Sequence, residues 1–139
     1  MGYETLSFEE AVACETKRLW GERERIILHD GLYDSYAHEH FSYLARGVYV
    51  DQIKVWKCLF QTNQMLILCS ETFYAKPAST LDNVFTFLNL PSQDLKDDIV
   101  YQHSIYPEMP ADTRKRLGEY FRPHNERLYD FLDRDFGWG

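Results

Sequence analysis

The sequence predicts a mainly α-helical chain with one or two short strands, organised as a single domain over residues 1–139. Three observations carry this expectation. Apolar residues recur at helical spacing in several separate segments. A single continuous apolar run, Met65 to Cys69, has the length and polar borders of a strand buried on both faces. The 139 residues are 45% hydrophobic and 27% charged, a composition that folds around one core and excludes global disorder.

The elements follow in order. Ser7-Phe8-Glu9-Glu10 fits a capping box, in which the Ser7 hydroxyl accepts from the Glu10 amide and the Glu10 carboxylate reaches back. Phe8, Ala11, Val12 and Leu19 then follow one helical face. A charged stretch from Gly21 to Arg25 leads into Ile26, Ile27 and Leu28, and Gly31 breaks the chain. Asp34 to Phe60 is the longest helix-compatible region, with Gly47 dividing it. Beyond Gly47, Tyr49, Ile53, Trp56 and Phe60 predict a buried stripe.

Met65 to Cys69 predicts the strand, and Ser70-Glu71-Thr72 its polar end. Pro77 to Leu90 reads as the next helix, capped by Ser79, with Leu81, Val84, Phe85 and Leu88 on one face and Pro91 as its stop. A loop with an acidic middle follows. The last helix runs from about Ala111 to Asp135, and Pro123 should kink or split it. An isolated strand leaves unpaired backbone groups, each costing ~1–3 kcal/mol when buried. A second chain or a larger sheet is therefore expected beside Met65–Cys69.

Charge and composition exclude several classes. Fifteen Lys and Arg against 22 Asp and Glu give a net charge of -7, unsuited to general binding of nucleic acid or anionic membrane. No apolar run reaches the ~18 residues of a membrane span. The opening MGYETLSFEE is acidic and polar, unlike a secretory leader. Cys14, Cys58 and Cys69 form no Cys-x-x-Cys pair and read as reduced thiols of a cytoplasmic protein. Hydrolase, zinc-peptidase and Walker motifs are missing, and His38 and His40 diverge too far on a helix to share a metal ion.

Gly47-Val48-Tyr49, Trp56, Glu71 and Phe87-Leu88, in that order, resemble the sulfotransferase family that uses 3'-phosphoadenosine 5'-phosphosulfate (PAPS). The tail from Tyr106 to Trp138 is similar to the carboxy-terminal end of heparan sulfate and bacterial polyketide-type members, and the opening Tyr3–Ala11 to the stretch after the family's central nucleotide segment. The resemblance implies the carboxy-terminal half of a parallel α/β fold. It also implies sulfuryl transfer from PAPS to an acceptor hydroxyl. The family's basic phosphosulfate loop and 3'-phosphate arginine have no counterpart here. The loop before the last helix reads Tyr101-Gln102-His103-Ser104, leaving His103 and Ser104 as weak candidates for cofactor contact.

On that resemblance His40 is the candidate base, with His38, Arg46 and Glu71 on the acceptor side. Each has a plainer reading: His40 as a half-buried structural histidine, Arg46 as an exposed helix residue, Glu71 as a polar cap. Tyr49, Gln52 and Trp56 suit a core stripe, and Arg122, His124 and Asn125 suit hydrogen bonding around a Pro123 kink. Two functions stay open. One is a sulfotransferase half, inactive until an amino-terminal partner half holds PAPS. The other is a stand-alone, non-catalytic helical protein that forms a homo-oligomer, with Met65–Cys69 paired across chains or covered by a helix.

Overall fold

The computed structural model describes residues 4–93 and 108–138. Seven α-helices occur among them: α1 Phe8–Arg18, α2 Glu22–Leu28, α3 Tyr36–Phe41, α4 Tyr49–Leu59, α5 Ser70–Ala75, α6 Pro77–Phe87 and α7 Ala111–Leu132, with 3-10 turns at Ala45–Gly47 and Thr62–Gln64. The chain divides into two compact units, residues 1–52 with 110–139, and residues 53–109.

In the first unit, α1 starts where its capping box predicts. The Glu10 amide donates to Ser7 Oγ at 3.3 Å, and the Ser7 amide donates to Glu10 Oε2 at 3.0 Å. Ala11 and Val12 are buried, whereas Phe8 is 46% exposed. Gly21 and Gly31 both take φ 75°, which turns the chain at each end of α2 at little steric cost. Gly47 ends the 3-10 turn and separates α3 from α4. A Cβ there would lie 2.6 Å from Phe121 Cε1, so the backbone meets the α7 ring only because the position is glycine.

The core of this unit is small: Ala11, Val12, Val48, Val50 and Leu128 are its buried apolar residues. It is completed by polar groups that satisfy one another. Glu15, 4% exposed, accepts the amides of Leu44 (2.7 Å) and Ala45 (2.9 Å), which joins α1 to the turn that feeds α4. Thr113 of α7 donates to Glu9 of α1 at 2.9 Å. Among the described residues no buried side-chain nitrogen or oxygen lacks a partner, as the cost of burying unpaired polar atoms demands.

Several expectations need correction. The described residues contain no strand. Met65 and Cys69 do have extended dihedrals (φ -125°, ψ 122° and φ -91°, ψ 125°), but α5 begins at Ser70. The apolar run fixes local extension, while a strand also needs a ladder partner that composition does not specify. Glu71 consequently lies in the first turn of α5, not at a strand end. The α4 stripe is not buried: Tyr49, Trp56 and Phe60 are 47%, 55% and 44% exposed, and the helix is anchored instead through the fully buried Val50.

Ser79 does not cap α6. The helix starts at Pro77, where a missing N–H costs nothing, and Ser79 Oγ donates back to the Lys76 carbonyl at 3.2 Å. Helix α7 runs through Pro123 unsplit. Asn125 does not serve a kink either, since its Nδ2 donates to the Trp138 carbonyl at 3.3 Å. The tail is fastened there: Trp138 stacks on Phe136 at 4.8 Å, and its amide donates to the Tyr129 hydroxyl at 2.8 Å.

In the second unit, Trp56 stacks on Phe60 at 5.7 Å. Cys69 and Thr80 are buried, with Thr80 Oγ1 donating to the Lys76 carbonyl at 3.0 Å. Asn89 (φ 55°) closes α6, and the Leu90 amide returns to the Phe85 carbonyl at 2.8 Å.

Two substitutions test this architecture. Glu15→Ala removes the acceptor of two amides and should cost about 3 kcal/mol in chemical denaturation, with Glu15→Gln losing less because one acceptor oxygen remains. Gly47→Ala forces a methyl group against Phe121 and should cost about 1–3 kcal/mol, and Phe121→Leu in the same chain should recover part of that loss.

Candidate functional site

The candidate residues His38, His40 and Arg46 gather around α3. Ser35 begins that helix by accepting the His38 amide at 3.0 Å, and its own hydroxyl donates to Glu22 of α2. The Tyr33 hydroxyl and Arg25 also donate to Glu22, at 3.2 and 3.0 Å. The Ser35 hydroxyl, followed by Tyr33 and Arg25, holds the Glu22 carboxyl below its ordinary range despite the opposing effect of burial. The α2–α3 corner is thus fixed by one buried acid.

On α3, His40 is half-buried. Its Nδ1 lies 3.1 Å from the Tyr36 carbonyl, 3.7 Å from Glu39 Oε2, and its ring stacks on Tyr36 at 4.2 Å. A carbonyl oxygen only accepts, so a neutral His40 bonded this way carries its proton on Nδ1. Nε2 is then the basic nitrogen, the form that a general base requires. His38 is exposed, and its carbonyl accepts the Ser42 hydroxyl. Arg46 reaches back from the 3-10 turn to donate to the Glu39 carbonyl, while its own carbonyl accepts Gln52 Nε2 at 3.0 Å. The structure therefore brings Arg46 onto the helix that carries both histidines.

Glu71 belongs to the second unit. It accepts from Cys69 Sγ at 2.9 Å and from Ser70 Oγ at 3.1 Å. His103 and Ser104 lie outside the described residues. The described residues contain no cluster of three or more His, Cys, Asp or Glu side chains suited to a metal ion.

Beside α3 lies an ionic cluster that sequence reading missed. Glu4 accepts from Arg18, from the Tyr43 hydroxyl at 2.6 Å, and from the amides of Thr5 and Leu6 at 2.9 Å each. Arg18 also sits over the Phe41 ring, 4.3 Å from its centroid. Residues 4, 18 and 43 are far apart in sequence, and no local pattern links them. Arg18 first, then Tyr43 and the Leu6 amide, bring the Glu4 carboxyl down from 4.5 to about 2. A depressed carboxylate stabilises the fold above its ordinary pKa, and that stabilisation fades as pH falls through the folded value. The wild-type chain should therefore lose stability between about pH 4.5 and 2, and Glu4→Gln should flatten this acid limb in pH-dependent thermal unfolding.

Comparison with known proteins bears on this geometry. No family model matches the chain, and no solved structure matches it. Among curated proteins, it is 33% identical over 104 residues to a membrane-associated sulfotransferase, kil1, of Dictyostelium discoideum, covering 73% of this chain and 21% of that protein. It is 26% identical over 116 residues to human heparan sulfate glucosamine 3-O-sulfotransferase 3B1, covering 66% of this chain and 30% of the relative. It is 29% identical over 112 residues to mouse bifunctional heparan sulfate N-deacetylase/N-sulfotransferase 1, covering 64% of this chain and 13% of the relative. The chain spans between about an eighth and a third of the length of these relatives. No helix of the described residues is long and apolar enough to cross a membrane. Over about two thirds of its length the chain is homologous to sulfotransferases, and it corresponds to part of a sulfotransferase domain.

Proposed function

We propose that this chain is the carboxy-terminal half of a sulfotransferase domain, and that it transfers a sulfuryl group from PAPS to an acceptor hydroxyl only when an amino-terminal half completes it. The observation that carries this reading is the homology to sulfotransferases by a chain that spans 30% or less of each of the three relatives compared.

The described residues do not fit the nucleotide by themselves. A phosphosulfate needs a loop of amides between a strand and a helix, backed by cations, and among the described residues there is no strand. Four arginines of the first unit are engaged internally: Arg18 with Glu4, Arg25 with Glu22, Arg127 with Asp51, and Arg46 with the Glu39 carbonyl. With a net charge of -7, the chain repels a polyanion until basic groups are added.

In the completed protein, His40 is the residue we assign as base for the acceptor hydroxyl. Arg46, held on α3, and His38, exposed beside it, are placed on the acceptor side, and Glu71 is the corresponding candidate of the second unit. The second reading is a non-catalytic helical protein that self-associates. It is favoured by the large exposed apolar side chains, among them Trp20, Leu28 and Leu32 at 83%, 78% and 91%. The three cysteines are free thiols, which suits a reducing compartment such as the cytoplasm.

Thermal-shift titration with 3'-phosphoadenosine 5'-phosphate separates these readings. The 139-residue chain alone should show no shift. The chain continued through in-frame coding sequence upstream of Met1 should gain about 2.7 kcal/mol at a hundredfold excess over the dissociation constant. A clear shift for the chain alone would remove the need for a second half, and a failure of both would leave the self-associating protein. In an active completed protein, His40→Ala should lower kcat about 100-fold or more with its melting temperature little changed.

A further inference from the structure

Two features of α3 converge on one residue. Tyr36 opens the helix, and the corner before it is fixed because Ser35 accepts the His38 amide at 3.0 Å and donates to buried Glu22. His40 follows four positions later, so the two side chains are neighbours on the helix surface. The Tyr36 ring stacks on the imidazole, with 4.2 Å between centroids and 19° between planes. The Tyr36 carbonyl also faces His40 Nδ1 at 3.1 Å. A carbonyl oxygen has two lone pairs, so it can take a ring proton besides a helical amide. Glu39 Oε2 lies 3.7 Å from the same nitrogen, beyond hydrogen-bond range, and a carboxylate too only accepts. Both neighbours therefore ask for the proton on Nδ1. Behind Tyr36, the Phe41 ring meets it edge-on at 5.8 Å, and the Arg18 guanidinium covers Phe41 at 4.3 Å from its centroid. Tyr36 is thus buttressed although 54% exposed.

We infer that Tyr36 is the positioning residue of His40: its carbonyl selects the Nδ1–H tautomer, and its ring holds the imidazole in the plane that keeps Nδ1 on that carbonyl. This role rests on the assignment of His40 as base for the acceptor hydroxyl under the proposed function. A base can take the hydroxyl proton only on a nitrogen that does not already carry one. A neutral imidazole has one such nitrogen, and the hydrogen bond made by the other decides which. Here a backbone carbonyl makes that choice, and it leaves Nε2 for the acceptor. The torsion that turns the ring is broad, so the carbonyl alone leaves the imidazole free to swing off its acceptor. Stacking closes those orientations, since a tilt out of the stack forfeits the aromatic contact. An aromatic pair at this spacing also supports a helix, but helix support needs no particular tautomer. The tautomer is therefore the signature that separates positioning from a structural contact.

Long-range proton–nitrogen correlation spectra of the isotope-labelled 139-residue chain, recorded where the imidazole is neutral, read this directly. The wild type should show Nδ1 of His40 protonated and Nε2 bare. Tyr36→Ala should give a mixture of the two tautomers with an unchanged circular dichroism spectrum. Tyr36→Leu, a second variant without the ring, should do the same should the alanine chain not fold. Tyr36→Phe keeps ring and carbonyl and should restore the wild-type pattern. In an active completed protein, Tyr36→Ala should lower kcat about tenfold with KM little changed, and Tyr36→Phe should recover most of that loss. A wild-type chain with the proton on Nε2 overturns the inference, as does a folded Tyr36→Ala or Tyr36→Leu chain whose tautomer is unaltered. Failure of the base assignment shows separately: His40→Ala would then leave kcat unchanged, and the positioning role falls with it even where the spectra show the Nδ1–H form.

Discussion

The first unit depends on one buried acid. Glu15 sits in α1 among Ala11 and Val12, where an apolar residue would normally serve, and accepts two consecutive amides that open the 3-10 turn at Ala45. Those amides have no helical partners, because the first turn of any helix leaves its donors unpaired. The interaction therefore positions the turn, the turn delivers Gly47 to Phe121, and Val48 and Val50 enter the core immediately afterwards. Glu15 also bears on Tyr120, whose hydroxyl pKa is raised first by burial and then by that acid. With so few buried apolar residues, polar satisfaction and not hydrophobic volume defines this geometry.

The same logic recurs at Glu22 and at Glu4. Each acid gathers hydroxyl and guanidinium donors, most of them from outside its own segment; only Arg25 shares the helix of the acid it serves, Glu22. Glu22 joins α2 to the entry of α3, and Glu4 joins the amino-terminal segment to α1 and to Tyr43. Three acids thus define the surroundings of α3, on which His40 and Arg46 are held. Arginines used in this way are not available to a nucleotide. That connects the small core to the functional reading: groups spent on holding the scaffold together cannot also bind a polyanion.

What was legible in the sequence was local. The Ser7–Glu10 capping box and the breaks at Gly31 and Gly47 each depend on residues close in the chain or on glycine's conformational freedom. The acid-centred contacts were not legible, since Glu15 meets Leu44 across 29 positions and Glu9 meets Thr113 across 104, with whole helices between them. Periodicity also misled at α4. It marks which residues share a face, not whether this chain covers that face, so Tyr49, Trp56 and Phe60 form a stripe that is largely exposed. For the candidate site, order of motifs pointed to the family, and comparison bore this out. The roles of His40, His38, Arg46 and Glu71 rest on the resemblance and on placement alone.

The exposed stripe of α4, the extended run from Met65 and the outward face of α2 share one physical origin. Helical spacing and apolar content were set for burial, yet the described residues leave these surfaces uncovered. Covering them gains free energy in proportion to apolar area, so each is a demand for a neighbour. Their chemistry differs, however. Met65 and Cys69, at the two ends of the apolar run, have the extended dihedrals that a sheet accepts. On α2, Ile27 and Leu28 are exposed on a helix, where only side-chain packing can cover them. The extended run and the helical faces therefore ask for different kinds of cover, a hydrogen-bonded ladder at the one and side-chain packing at the others.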